Sequence, residues 1–476
     1  MTKGVAVLLL IVLLSGAGAW AGQKIVQIGG GNRIENSQGQ IEDNVIWLSR
    51  ILERSSDDVT TFFAAGRSGV KDVSLYGDTN RDPLLEPLAR VLGDPSALQI
   101  EFRSNQVPNV SGSTVKDEMV ASLGRVLEDL DAGSDLLLIY NGHGGRDWED
   151  VRSNTLKTWQ DGRVTVQEVD QILDYAPQES TVRFVFPQCY SGGFYYLLYD
   201  DPYSDQMAIQ NRCGFFAESA FDESEGCSLD TSTEEYRDYS TYFFAPLNGA
   251  TRAGDPLAVD PDSNGDGSIS FRESHLYALM VADSTDLSRS TAEMYLEAWE
   301  PWYLRWDNEE NRTSQYWKIA EYVARTHGLS LDGWTLAREK RRLRRMLDEV
   351  LRAQAQSAYS EQEMAQKIQA ELVLAWPEIQ EPYSPGFLAL MEERLQEISE
   401  AITGNANYQR LIEMQNDLGR MAQAQVSLER RITQIDKVVR MKNLARLEKG
   451  FQRFARDEDK RQFERLLRCE EGIFFP

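Results

Sequence analysis

The stretch Leu136-Leu137-Leu138-Ile139-Tyr140-Asn141-Gly142-His143-Gly144-Gly145 decides the fold. Its five apolar residues run without a polar break, as a strand does when helices cover both its faces. Asparagine and glycine end the run, and a histidine stands just beyond it. A second stretch repeats the design: Val182-Arg183-Phe184-Val185-Phe186-Pro187-Gln188-Cys189-Tyr190-Ser191-Gly192-Gly193. There a cysteine takes the histidine's place. Open α/β sheets build their sites outside the carboxyl ends of strands. If the two strands are parallel neighbours, His143 and Cys189 share one rim.

Working outward, apolar runs predict further strands over 24–28, 59–64 and 239–245. Between them lie helical periods. Val45, Ile46, Leu48 and Ile51 mark a helix over 43–53. Thr114 and Asp117 make a capping-box pattern before Met119, Val120, Leu123, Val126, Leu127 and Leu130. Thr165 and Glu168 make another before Val169, Ile172 and Leu173. Alternating strands and helices imply an α/β domain over 22–285, an α/β/α sandwich with a mostly parallel sheet. After Asp283 the pattern changes. Trp299, Trp302, Trp306 and Trp317 crowd a connection, and from Trp334 the chain is rich in Glu, Arg, Gln, Leu and Ala. Leu336, Leu343, Met346, Leu347 and Val350 form a heptad-like stripe. So do Leu428, Ile432, Ile435, Val439, Leu444, Leu447 and Phe451. The expectation is a helical bundle or coiled-coil module over 286–476, interrupted at Pro377, Pro382 and Pro385.

The start of the chain reads as a secretory leader over 1–21. Lys3 precedes an apolar run over 5–14, and Ala19 and Ala21 offer a small-residue cleavage site. Such a run is short for a bilayer span. No later window is long and apolar enough, so no span is expected once the leader is gone. The location implied is secreted or periplasmic. Disulfides are permitted there. Of Cys189, Cys213, Cys227 and Cys469, the pair flanking a polar loop, Cys213 and Cys227, is the expected bridge. With 50 Lys and Arg against 75 Asp and Glu, the net charge is −25. That balance excludes a broad nucleic-acid grip, which needs basic stripes. It favours cationic partners and divalent metals.

The chemistry of the rim follows from its residue types. An imidazole beside a thiol accepts its proton, the thiolate attacks an acyl carbon, and the histidine returns a proton to the leaving amine. Glycines beside both residues admit a substrate backbone closely. The N–H groups of Cys189 and Gly144 are candidate oxyanion donors. One histidine or cysteine after a strand is ordinary packing. Two, each after a buried strand and each followed by glycine, point to a catalytic pair.

A strand–His–Gly motif followed by strand–Gln–Cys–x–Ser–Gly–Gly resembles the caspase-like cysteine peptidases, most closely the legumain family. The resemblance covers residues 24 to 282. It implies a caspase-like fold, an endopeptidase acting on a protein or peptide substrate through Cys189 and His143, and a close variant that transfers the acyl group to an amine. Gly30-Gly31-Asn32-Arg33-Ile34-Glu35-Asn36 is similar to the family's opening strand and loop, which puts the histidine-orienting asparagine at Asn36. Two departures stand out. Gln38 falls where the family carries a substrate-selecting arginine, and Pro187 replaces an acidic residue two before the cysteine. Asparaginyl specificity is therefore not implied. The loop over 217–224 lies where relatives build part of the S1 pocket; Asp222 and Glu223 there read first as a solvated acidic loop, with a contact to a basic substrate side chain as the alternative. Related enzymes also carry helical prodomains, so the tail is read as inhibiting, targeting or self-associating. A non-catalytic interaction scaffold acting through that tail is the reading from another class.

Residues 262–273, Asp-Ser-Asn-Gly-Asp-Gly-Ser-Ile-Ser-Phe-Arg-Glu, match a twelve-residue EF-hand loop. Asp262, Asn264, Asp266, Ser268, Ser270 and Glu273 stand at the ligand positions, and Gly267 at the sharp turn. The exit helix, 271–282, is present. Gly254, Pro256 and Pro261 break the entering one. The expectation is a single Ca2+ loop that stiffens the domain, with His275 packed on the exit helix.

Overall fold

The computed structural model describes residues 23–54, 58–67, 69–77, 82–232, 234–302, 304, 310–382 and 384–473. The stretch read as a leader, 1–21, and Trp306 lie outside the described residues. The central sheet contains β1 (Lys24–Gly29), β2 (Asp58–Phe63), β5 (Val110–Gly112), β6 (Asp135–Asn141), β10 (Thr181–Phe186), β11 (Asn211–Phe216) and β12 (Arg289–Ser290). Their order is β12-β11-β10-β6-β1-β2-β5, and all pairs are parallel except β11 with β12. An antiparallel pair of β3 (Val73–Tyr76) and β4 (Ile100–Arg103) flanks it. A small sheet of β7 (Gly144–Gly145), β8 (Thr155–Thr158) and β9 (Gly162–Thr165) follows the histidine.

Side chains alternate across the sheet as strand geometry demands. Leu136, Leu138, Tyr140, Val182, Phe184 and Phe186 pack on one face with Met119, Leu123 and Leu127 of α3 (Lys116–Glu128) and Val169 and Ile172 of α4 (Val166–Leu173). Leu137, Ile139 and Val185 pack on the other with α1 (Gly39–Leu52), α5 (Tyr239–Phe243) and α7 (Phe271–Val281). The chain is thus α/β with helices on both faces of a mostly parallel sheet. α6 (Ala245–Asn248) follows α5 directly.

Three local expectations change. Residues 239–245 form helix, not strand. Tyr239 and Phe243 are both buried on the α7 side of the sheet, and their spacing of four is helical. Burial at that period outweighs the strand preference of Tyr, Thr and Phe. The strand β11 carries no long apolar run and went unread. The Thr165 capping box forms, but the Thr114 one does not. The Thr114 hydroxyl accepts from the Trp159 N–H at 3.2 Å and points to the Ala64 carbonyl at 3.4 Å instead.

The helical C-terminal region comprises α8 (Thr291–Trp299), α9 (Gln315–Thr326), α10 (Gly333–Ala375), α11 (Pro385–Thr403), α12 (Tyr408–Phe454) and α13 (Asp457–Glu470). α10 and α12 run antiparallel, with Lys340 paired to Asp436 and Glu361 to Gln415. The chain crosses residue 285 without leaving the core. Val26, Leu136 and Val182 share one apolar cluster with Leu296, Ile435, Met441, Phe463 and Leu466. A second core forms away from the sheet, where α10, α11 and α12 enclose Leu88 and Val91 of α2 (Leu85–Leu92). The expected stripes supply much of this packing, although Met346 and Val439 face solvent.

The disulfide is Cys213–Cys469, with Cα atoms 6.0 Å apart, and Cys227 is free. The expected Cys213–Cys227 bridge does not form. Cys213 is fully buried in β11, and α13 packs directly on that strand. Which helix covers a strand cannot be read from cysteine spacing.

Candidate active site

β6 and β10 are hydrogen-bonded neighbours, with Ile139 opposite Val185. His143 and Cys189 each lie four residues past that pair, so both leave the sheet at one rim. Gly144 is pressed against the cysteine. A Cβ added there would stand 1.9 Å from the Cys189 carbonyl oxygen. Only glycine lets the two loops approach this far. The backbone turns sharply after the thiol: Tyr190 is left-handed at φ 59°, and a 3-10 helix, Ser191–Leu198, follows. A non-glycine residue held there costs about 1–3 kcal/mol, a common feature of functional turns.

The opening loop holds the imidazole. Nε2 of His143 lies 2.8 Å from the Asn36 carbonyl oxygen and 2.9 Å from Oε1 of Gln38. A carbonyl only accepts, so Nε2 carries the proton and Nδ1 the lone pair. Asn36 thus orients the histidine through its main chain, while its side chain donates to Asn32 at 3.1 Å. Gly31 makes this possible, since a Cβ there would stand 2.0 Å from the same Asn36 oxygen. Gln38, a candidate substrate contact from the sequence, also meets His143.

The loop over 217–225 wraps Cys189. The Ser224 N–H points at Sγ of Cys189 from 3.3 Å. Tyr190 donates its N–H to the Asp222 carbonyl at 2.9 Å and its hydroxyl to Glu223 at 2.6 Å. Asn154 Nδ2 donates to the Tyr190 and Ala220 carbonyls, each at 3.0 Å. The Arg146 guanidinium lies 4.2 Å from the exposed Trp148 ring and 5.2 Å from Phe221, tying the histidine loop to this one. Ser224, Asn154 and Arg146 were not legible as site residues, because their roles depend on loop packing.

Burial pushes the Cys189 thiol up, and the Glu223 and Asp286 charges push the same way, while the Ser224 hydrogen bonds oppose them. Burial lowers His143, against the Asn36 hydrogen bond, and the Lys157 charge adds to the lowering. Both effects favour a resting pair of neutral thiol and neutral imidazole.

The calcium-type loop stands apart. Asp262 accepts from the Gly265, Asp266 and Gly267 N–H groups at 2.7, 3.2 and 2.9 Å. Glu273 closes the loop, with Oε1 accepting from Ser263 at 2.9 Å and Oε2 from the Ser270 N–H at 3.0 Å. Gly265 and Gly267 take positive φ. The donors at the six positions are all oxygen, the chemistry that calcium takes. Among the described residues, no three His, Cys, Asp or Glu side chains converge as a metal-holding group by themselves. His275 is packed, as expected, between Tyr239 and Glu293.

No family model matches the chain, and no curated protein does. Among solved structures it is similar to protein GSU0716 from Geobacter sulfurreducens. That match has 11% identity and a TM-score of 0.33, over 56% of this chain and 93% of the other. No helix among the described residues is long and apolar enough to cross a membrane.

Proposed function

We propose that the chain is an exported, caspase-like cysteine endopeptidase. The observation that carries this reading is the matched placement of His143 and Cys189 past paired positions on β6 and β10, with the Asn36 carbonyl fixing the imidazole tautomer. Nδ1 of His143 takes the Cys189 proton as Sγ bonds to the scissile carbonyl carbon. The oxyanion is received by the N–H groups of Cys189 and Gly144. The C–N bond then breaks and the amine leaves with the proton from His143. Water, deprotonated by the same imidazole, releases the acid and restores the thiol.

Asp222 and Glu223 flank the nucleophile and suit a basic substrate side chain. Calcium, bound by Asp262, Asn264, Asp266, Ser268, Ser270 and Glu273, would stiffen the start of α7. Thiol labelling tests the site. Iodoacetamide modifies Cys189 before Cys227, and His143→Ala slows that labelling. Equal rates in wild type and His143→Ala would remove the histidine's role.

A further inference from the structure

We infer that the C-terminal helices build one wall of the substrate cleft and recognise a basic side chain there, through Glu429 of α12. This rests on the peptidase reading for the term substrate, but its geometry is independent of catalysis. A cleft of about 750 Å3 opens between the nucleophile's loop and the two long helices. Ser224, the residue whose N–H meets Sγ of Cys189, is part of its lining. Asp222 and Glu223 line the catalytic side. Arg344 and Leu347 of α10 and Glu429 and Ile432 of α12 line the other.

The wall is fixed in place, not merely adjacent. Arg430 pairs with Glu225, one residue past Ser224. Thr433 donates to the Thr285 carbonyl at 3.1 Å. Gln434 and Lys437 both donate to the Ala282 carbonyl at 3.0 Å, and Arg440 to that of Ser288 at 3.0 Å. About three consecutive turns of α12 thereby grip the segment over 282–288 and the nucleophile's loop. A cleft of this size admits a peptide segment. Ile432 and Leu347 offer apolar surface to the methylene stem of Lys or Arg, and the carboxylates take its charged head. Of the acidic lining groups, Glu218 is consumed by the Ser219 and Leu287 N–H groups, and Asp436 is paired with Lys340. Among the described residues, Glu429 accepts one hydrogen bond, from Gln425 of its own helix at 2.9 Å. It is thus the tail's main available carboxylate, facing the same space as Asp222 and Glu223.

The test uses full-length Cys189→Ala protein and a fluorescein-labelled hexapeptide carrying one Arg, beside the same peptide with Gln. Anisotropy is expected to show the Arg peptide binding about tenfold tighter, and Glu429→Lys to erase most of that preference. Should Glu429→Lys melt early, Arg344→Glu serves instead, with the preference expected to rise. A preference untouched by both substitutions overturns the proposal. Turnover by the Cys189 protein is read separately. Arg-selective binding without turnover keeps the wall and removes the peptidase; turnover with a preference indifferent to Glu429 and Arg344 does the reverse.

Discussion

At the residue scale the proposed chemistry involves two groups whose titrations burial shifts. Because burial lowers His143, its neutral, proton-accepting form persists below the ordinary imidazole value of 6.5. The acid limb of kcat/KM is expected below that value. Because burial raises Cys189, iodoacetamide labelling of the free enzyme should climb only above the ordinary thiol range. A labelling rate already at its plateau near neutral pH would indicate a resting thiolate–imidazolium pair and contradict this description. Gln38 supplies a second check. Gln38→Ala leaves the Asn36 carbonyl on His143 but removes its other acceptor. A fall in kcat of about tenfold with KM little changed is expected, the size of one hydrogen bond. A KM effect alone would return Gln38 to substrate contact. The shared rim of His143 and Cys189 was legible because chemistry-bearing residues after two apolar runs are visible locally. The sequence did not show the Gln38 contact with His143 or the Ser224 contact with Cys189, because those contacts join loops far apart in the chain.

At the element scale, apolar runs and helical periods located β1, β2, β6 and β10 and the helices α1, α3 and α4, but not α2. Buried parallel strands are nearly continuous in apolar residues and so stand out. β11 did not, because Asn211, Arg212, Cys213 and Gly214 break its run. The same strand concealed the disulfide partner. Cys213 and Cys469 are 256 residues apart, and closing so long a loop restricts the unfolded chain strongly. Cys469→Ser should therefore lower stability by about 2–4 kcal/mol in denaturant melts. An unchanged midpoint would mean that α13 holds to β11 by packing alone. The calcium-type loop leads into α7, and its far end meets the C-terminus, where Ser270 bridges Ile473 and Arg272 pairs with Glu470. Added calcium should raise the melting temperature. Asp262→Asn keeps an oxygen acceptor for the Gly265 N–H but loses charge, and should abolish that rise. A rise that survives the substitution places the ion elsewhere.

At the scale of the whole molecule, the tail is part of the α/β core and not an appended module. One apolar cluster joins the sheet to α12 and α13, and α12 reaches the loop that wraps Cys189. Heptad-like stripes revealed that these helices exist and which faces they bury. They could not reveal that the buried face meets the sheet, since an apolar stripe is the same against any partner. The net charge of −25 gains a location as well, in part along a cleft beside the nucleophile. The central claim, that this rim cleaves peptides, is tested most directly by exposing a peptide library to full-length wild type, Cys189→Ala and His143→Ala. The expected result is cleavage by wild type, enriched at basic residues, and loss of at least about a thousandfold in both variants. Cleavage that persists in Cys189→Ala, or a wild type that cleaves nothing while its thiol labels normally, would contradict it.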